Sequence, residues 1–130
     1  MEGGRWCAKN LNNDKPIFIK IMEMIEDNIL SGVYKTDDII ISTTQISKLL
    51  SVNPTTAVKA VSNLADEGLL YKRRGIGMCV ESGAREKILS RRKKVFCGET
   101  VTAFWEEAKK LGITEDELIK IIRRKSNGSL

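Results

Sequence analysis

Apolar residues at Ile17, Phe18, Ile21, Met24, Ile25, Ile29 and Leu30 recur at helical spacing from Lys15 or Pro16 and stop before Gly32. That pattern predicts an amphipathic helix with one packed face. Ser42-Thr43-Thr44-Gln45 has capping-box spacing, with Ile41 and Ile46 placed as a hydrophobic staple, so a short helix carrying Ile46, Leu49 and Leu50 is expected to end near Ser51. A third helix opens at Asn53, whose side chain can cap it, and Pro54, whose missing N–H costs nothing at the first helical position. Ala57, Ala60, Val61, Leu64 and Ala65 form its packed side, Thr55, Thr56, Lys59, Ser62 and Asn63 its polar side, and Gly68 suits a left-handed stop. Leu69-Leu70-Tyr71 reads as a strand, Arg73-Arg74-Gly75-Ile76-Gly77 as a tight basic turn and Met78-Cys79-Val80 as the returning strand, with Ile39-Ile40-Ile41 able to add a minor third strand.

Beyond Gly83 the pattern changes. Ala84 to Lys94 is dense in Arg and Lys, with Ile88 and Leu89 apolar, and Gly98 divides or bends the region. Val101, Phe104, Trp105, Ala108 and Leu111 then make a helical stripe stopped at Gly112, and Thr114 with Glu117 caps a last helix bearing Leu118, Ile119, Ile121 and Ile122. Neither apolar face can be covered within so short a segment. The same segment of a second subunit covers them most simply, and Val101, Phe104, Trp105, Ala108, Leu111, Ile119 and Ile122 are the expected dimerisation residues; packing on the rest of the chain is the alternative. The fold expected is mainly α with a small β-hairpin. A flexible N-terminal arm (1–14) precedes a winged helix-turn-helix (15–82), a helical dimerisation domain (83–125) and a disordered tail (126–130).

A helix whose first turn offers Asn, Thr and Thr, followed by Lys, can enter a major groove and present donors and acceptors to base edges and phosphates. Asn53, Pro54, Thr55, Thr56 and Lys59 are the candidate residues there. In the hairpin turn, Arg73 and Arg74 would meet phosphates or the minor groove, and Gly75 would let the backbone approach closely. The turn lacks the strand-to-helix context and the GK[ST] ending of a phosphate-binding loop. Asp37-Asp38 reads as a solvated turn sooner than as a metal site.

These features resemble the GntR-type winged-helix transcription regulators, and within them the short YtrA-like subfamily. The resemblance rests on Pro16-Ile17-Phe18, Gly32-Val33-Tyr34, Ser42 opening the second helix, VNPTTAVKA opening the third, Glu67-Gly68-Leu69 and Arg74-Gly75-Ile76-Gly77. It implies a homodimeric DNA-binding regulator, most often a repressor, on a pseudo-palindromic operator near genes of membrane transporters, often of the ABC type. It also brings the start of the second helix, Ser42, Thr43 and Thr44, into the DNA-facing set. Thr44 stands where the family commonly has an arginine, Val58 where many members have a basic residue, and Asp37-Asp38 with Ile40-Ile41-Ser42 where Gly-Asp and Leu-Pro-Ser are usual.

Composition narrows the alternatives. The chain has 130 residues, net charge +5 and no histidine, so the commonest general base and nitrogen metal ligand are absent, and neither an enzyme nor a cofactor is expected. Cys7, Cys79 and Cys97 are far apart and form no CxxC pair, which indicates neither a disulfide framework nor a zinc cluster. Lys48, Lys59, Lys72, Arg73 and Arg74 concentrate positive charge on the motif, whereas Glu23, Glu26 and Asp27 lie on the first helix and are expected to face away from DNA. No apolar run approaches the ~20 residues that span a bilayer, and the first residues lack a signal peptide's apolar core, so a cytoplasmic protein without a membrane partner is expected. Double-stranded DNA and a second copy of the chain are the partners expected. A protein-interaction module built on the same fold is the alternative, favoured by Thr44 and Val58. Trp6 in the arm could pack on a partner or on its own domain, and the sequence identifies no small-molecule effector.

Overall fold

A computed structural model describes residues 15–128. The N-terminal arm with Trp6, and the last two residues of the polar tail, lie outside the described residues. Packing divides the chain into one compact unit through Leu89 and a second from Ser90.

The first unit begins with helix α1 (Ile17–Leu30), followed by α2 (Thr43–Leu50) and α3 (Pro54–Asp66). Strands β1 (Leu70–Arg73) and β2 (Gly77–Val80) then form an antiparallel hairpin, and helix α4 (Ala84–Val95) starts within the unit. Pro16 sets the chain direction into α1, its carbonyl accepting from the amides of Ile19 (3.1 Å) and Lys20 (3.3 Å). Ile21, Met22, Ile25 and Ile29 bury the inner face of α1 against Ala57, Ala60, Val61 and Leu64 of α3, with Ile46 of α2 and Leu69, Leu70 and Val80 of the hairpin closing the same core. Each fully buried Ile or Leu contributes about 1.5–3 kcal/mol relative to water exposure. Ala84 and Ile88 belong to this core, so the first turns of α4 extend the unit past the boundary expected at residue 82.

Local chemistry fixes the turns. Ser42 Oγ accepts from the Gln45 amide (3.1 Å) while the Ser42 amide donates to Gln45 Oε1 (2.9 Å), completing the capping box. Ser51 ends α2 in left-handed backbone (φ 54°), and Ser47 clasps the turn by donating from Oγ to the Val52 carbonyl (2.6 Å). Gly68 (φ 78°) stops α3 as its position in the sequence predicts. The hairpin pairs Leu70 with Val80, Tyr71 with Cys79, Lys72 with Met78 and Arg73 with Gly77. The minor third strand is reduced to one bridge, Ile39 opposite Cys79, supported by the Ile40 amide on the Met78 carbonyl (3.0 Å).

Two placements in this unit depend on packing that spacing alone does not give. Glu26 of α1 is buried, at 3% exposure, beside Ile25 on the inward edge of the helix. On α2 only Ile46 is buried, and Leu49 is 70% exposed.

In the second unit a π-helical turn (Phe96–Thr100) contains Gly98, the residue expected to divide the region, and precedes α5 (Val101–Lys110) and α6 (Glu115–Ser126). Ser126 is the last helical residue rather than the first of the tail. Thr114 and Glu117 form the expected capping box, Thr114 Oγ1 accepting from the Glu117 amide (3.2 Å) and the Thr114 amide donating to Glu117 Oε1 (2.9 Å). That amide, with a second bond from the Thr114 hydroxyl, holds the Glu117 carboxyl below its ordinary pKa. Acidic Glu115, Asp116 and Glu117 in the first turn and basic Arg123, Arg124 and Lys125 in the last match the helix dipole.

Candidate nucleic-acid interface

The N-terminus of α3 is built so that its outer side stays polar and open. Asn53 Oδ1 accepts from the Thr55 amide (2.8 Å), its carbonyl accepts from the amides of Thr56 (2.9 Å) and Ala57 (3.2 Å), and Pro54 begins the helix. Burial of Ala57, Ala60, Val61 and Leu64 turns the opposite face outward, where Thr55, Val58, Lys59 and Ser62 are exposed and Thr56 is half-buried. Thr44 at the start of α2 is also exposed, Thr43 half-buried, and Ser42 is occupied as the helix cap. Lys59 lays its ammonium 4.1 Å from the centre of the Phe18 ring, a cation–π contact that steadies the side chain on the surface without neutralising it.

Val58, 48% exposed at one edge of this polar face, is a surface residue that helical spacing alone did not single out. The family resemblance already marked the position, and its spacing of three residues from Thr55 and four from Ser62 puts it on the outward arc. An apolar side chain at such a position can meet the 5-methyl group of thymine.

The hairpin turn is closed by the Ile76 amide donating to the Arg73 carbonyl (2.9 Å), with Gly75 at φ 74°. Arg74 and Gly75 lie exposed at its tip, as the sequence predicts. Arg73 is different. Its guanidinium donates to the Tyr71 hydroxyl, which donates in turn to Asp37 Oδ1 (2.6 Å), and Arg73 Nη2 stands 3.7 Å from that same carboxylate oxygen. The bond to Asp37 holds the Tyr71 phenol above its ordinary pKa, and the bond to Tyr71 raises that of Arg73 further. Nothing local in the sequence signals this cluster, because Asp37 and Tyr71 are 34 positions apart.

Of the residues expected at a subunit interface, Val101, Phe104, Trp105, Leu111, Ile119 and Ile122 are exposed on the second unit, Phe104 at 49%. Ala108 departs from the set: it is buried, at 4%, and with Leu118 makes up the buried part of this unit among the described residues. Among those residues no helix is long and apolar enough to cross a membrane.

The family described as bacterial regulatory proteins, gntR family, matches residues 19–80. The HTH-type transcriptional repressor NagR of Bacillus subtilis is 30% identical over 107 residues, which are 81% of this chain and 40% of NagR. The chain thus spans well under half of that relative's length. The HTH-type transcriptional repressor YtrA of the same organism is 27% identical over 74 residues, 57% of each chain, in agreement with the YtrA-like subfamily. A crystal structure of a GntR-family transcriptional regulator from Bacteroides thetaiotaomicron superposes with a TM-score of 0.70 at 30% identity, covering 88% of this chain and 100% of that one. Capped α3, basic hairpin and this likeness over the whole of a solved relative agree: the chain belongs to the GntR family of bacterial regulatory proteins, transcription regulators and not enzymes.

Proposed function

We propose that this protein is a homodimeric, sequence-specific DNA-binding repressor of the cytoplasm, in which α3 enters the major groove and the β1–β2 hairpin contacts the backbone or minor groove. The observation that carries the reading is the start of α3: a capped helix whose first two turns hold Thr55, Val58 and Lys59 outward together. The positive end of the helix dipole at such a start favours a phosphate, and hydroxyl, methyl and ammonium groups supply the chemistry for bases and backbone. Arg74 and Gly75 at the hairpin tip add a cation and an open backbone.

Phe104 and Trp105 support the dimer. Each covers roughly 150–250 Å² when buried, and both are exposed on α5. A two-fold pair of winged helices would read half-sites about 10 base pairs apart, centre to centre. Transporter genes are the target class that the subfamily likeness favours. Selection of bound sequences from a random duplex pool tests the reading: enrichment of an inverted repeat is the expected result, and recovery of no common sequence would contradict it. The protein-interaction alternative predicts no salt-dependent duplex binding at all.

A further inference from the structure

Asp37 has left-handed backbone (φ 70°), a conformation that favours glycine and that Asp tolerates better than most side chains. The conformation is held from both sides. Its amide donates to the Val80 carbonyl (2.9 Å), and the following residue, Asp38, accepts from the Val80 amide (3.0 Å) and from the Lys35 amide through Oδ2 (2.8 Å). The result is a carboxylate aimed at the base of a basic hairpin, where it accepts from Tyr71 and stands 3.7 Å from Arg73 Nη2. Both charged side chains remain open to solvent, so neither is locked in the core.

We propose that Asp37 is an internal competitor for Arg73, occupying in the free protein the place that a DNA phosphate takes in the complex. A carboxylate and a phosphate offer a guanidinium the same anionic oxygens, so the two anions compete for one cation. Tyr71 makes the exchange easy: its hydroxyl bonds both partners and keeps the side chains aligned while one anion replaces the other. Asp37 therefore lowers the hairpin's affinity for every duplex, whatever its sequence, first by neutralising Arg73 and then, once displaced, by repelling the phosphates nearby. It tunes how much of the total affinity is left to the base contacts of α3. Exposed ion pairs are individually weak, so the exchange needs no rearrangement of the fold.

This inference rests on the DNA-binding reading above. The test measures binding of a random-sequence duplex by the full chain and by the variants Asp37→Asn, Asp37→Gly, Arg73→Ala and Asp37→Asn/Arg73→Ala across a salt series. Asn keeps an acceptor for Tyr71 and tolerates the left-handed backbone while removing the charge; Gly removes the side chain and relaxes the backbone. Asp37→Asn and Asp37→Gly are both expected to bind about 3- to 10-fold tighter at low salt, with the gain fading as salt rises. In the Arg73→Ala background the Asn substitution should gain about 2-fold or less, which only removal of general repulsion would supply. An unchanged or weakened Asp37→Asn protein overturns the proposal, as does an equal gain with and without Arg73. A gain confined to Asp37→Gly assigns the effect to the backbone and overturns it too. If no protein in the set, the parent included, binds duplex, the DNA-binding reading itself falls; parental binding with Asp37→Asn unchanged removes the competitor alone.

Discussion

The unit through Leu89 and the unit from Ser90 use apolar residues in opposite ways. In the first, side chains from every helix and both strands converge on one core, and Ile21, Ile25, Ile46, Leu64 and Ile88 are almost wholly withdrawn from water. In the second, Ala108 and Leu118 are buried, while Phe96, Phe104, Trp105, Leu111 and Ile122 remain on the surface. Each unit carries one complete capping box: Ser42 with Gln45 in one, Thr114 with Glu117 in the other. Good local structure therefore does not distinguish them; the destination of the apolar face does. A face that closes on itself makes a domain; in the second unit the face stays largely open, the arrangement the proposed dimer would cover.

The largest expected effect tests the closed core. Leu64→Ala removes a fully buried side chain and should cost about 2–5 kcal/mol of unfolding free energy, whereas Ile122→Ala should stay within about 0.5 kcal/mol in dilute monomer, both read by denaturant titration. A comparable loss at Ile122 under those conditions would mean that its face is covered within the chain.

Next in size is the open face. Phe104→Glu with Trp105→Glu places two charges on the aromatic patch without altering the winged helix. Sedimentation should show the parent as a dimer and the double variant as a folded monomer, and footprints of the two half-sites should weaken together. A variant that stays dimeric would place the interface elsewhere.

Within the closed unit, cations can be ranked by what already holds them. Lys59→Ala and Arg74→Ala should each lower the salt slope of duplex binding by about one unit, the release expected per phosphate contact. Arg73→Ala should lower it less, because Asp37 already faces that guanidinium.

The smallest effect concerns the cap of α6. Its folded pKa is depressed, so the Glu117 carboxylate stabilises the helix above the unfolded carboxyl value, and that contribution is lost as pH falls through the lower folded value. Amide exchange in the first turn of α6 should accelerate on acidification, and Glu117→Gln should remove most of that pH dependence.

Features set by neighbours along the chain were legible in the sequence. Asn53-Pro54, the two capping boxes and Gly68 each act over a few residues, and each appears where its spacing predicts. The hairpin was legible because two short apolar runs flank a glycine-containing turn. What the pattern missed depends on groups far apart in the sequence. Glu26 follows Ile25 into the interior although its type suggests water, and Arg73 meets a partner on the loop before α2. Periodicity also overstated the inward face of α2, where Leu49 is at helical spacing from Ile46 yet lies in solvent. Of the candidate site, the α3 start and the hairpin tip were readable from sequence; the state of Arg73 required the fold.

The most direct test of the central claim, that the outward face of α3 reads base sequence, compares two duplexes of equal length and charge by fluorescence anisotropy. One carries the sequence enriched from the random pool, the other the same bases scrambled, and each is titrated with the parent and with Thr55→Ala. Loss of a base-edge contact should cost about 1–3 kcal/mol on the enriched duplex and little on the scrambled one. Equal losses on both duplexes, or a parent that binds them alike, would contradict sequence reading by this helix.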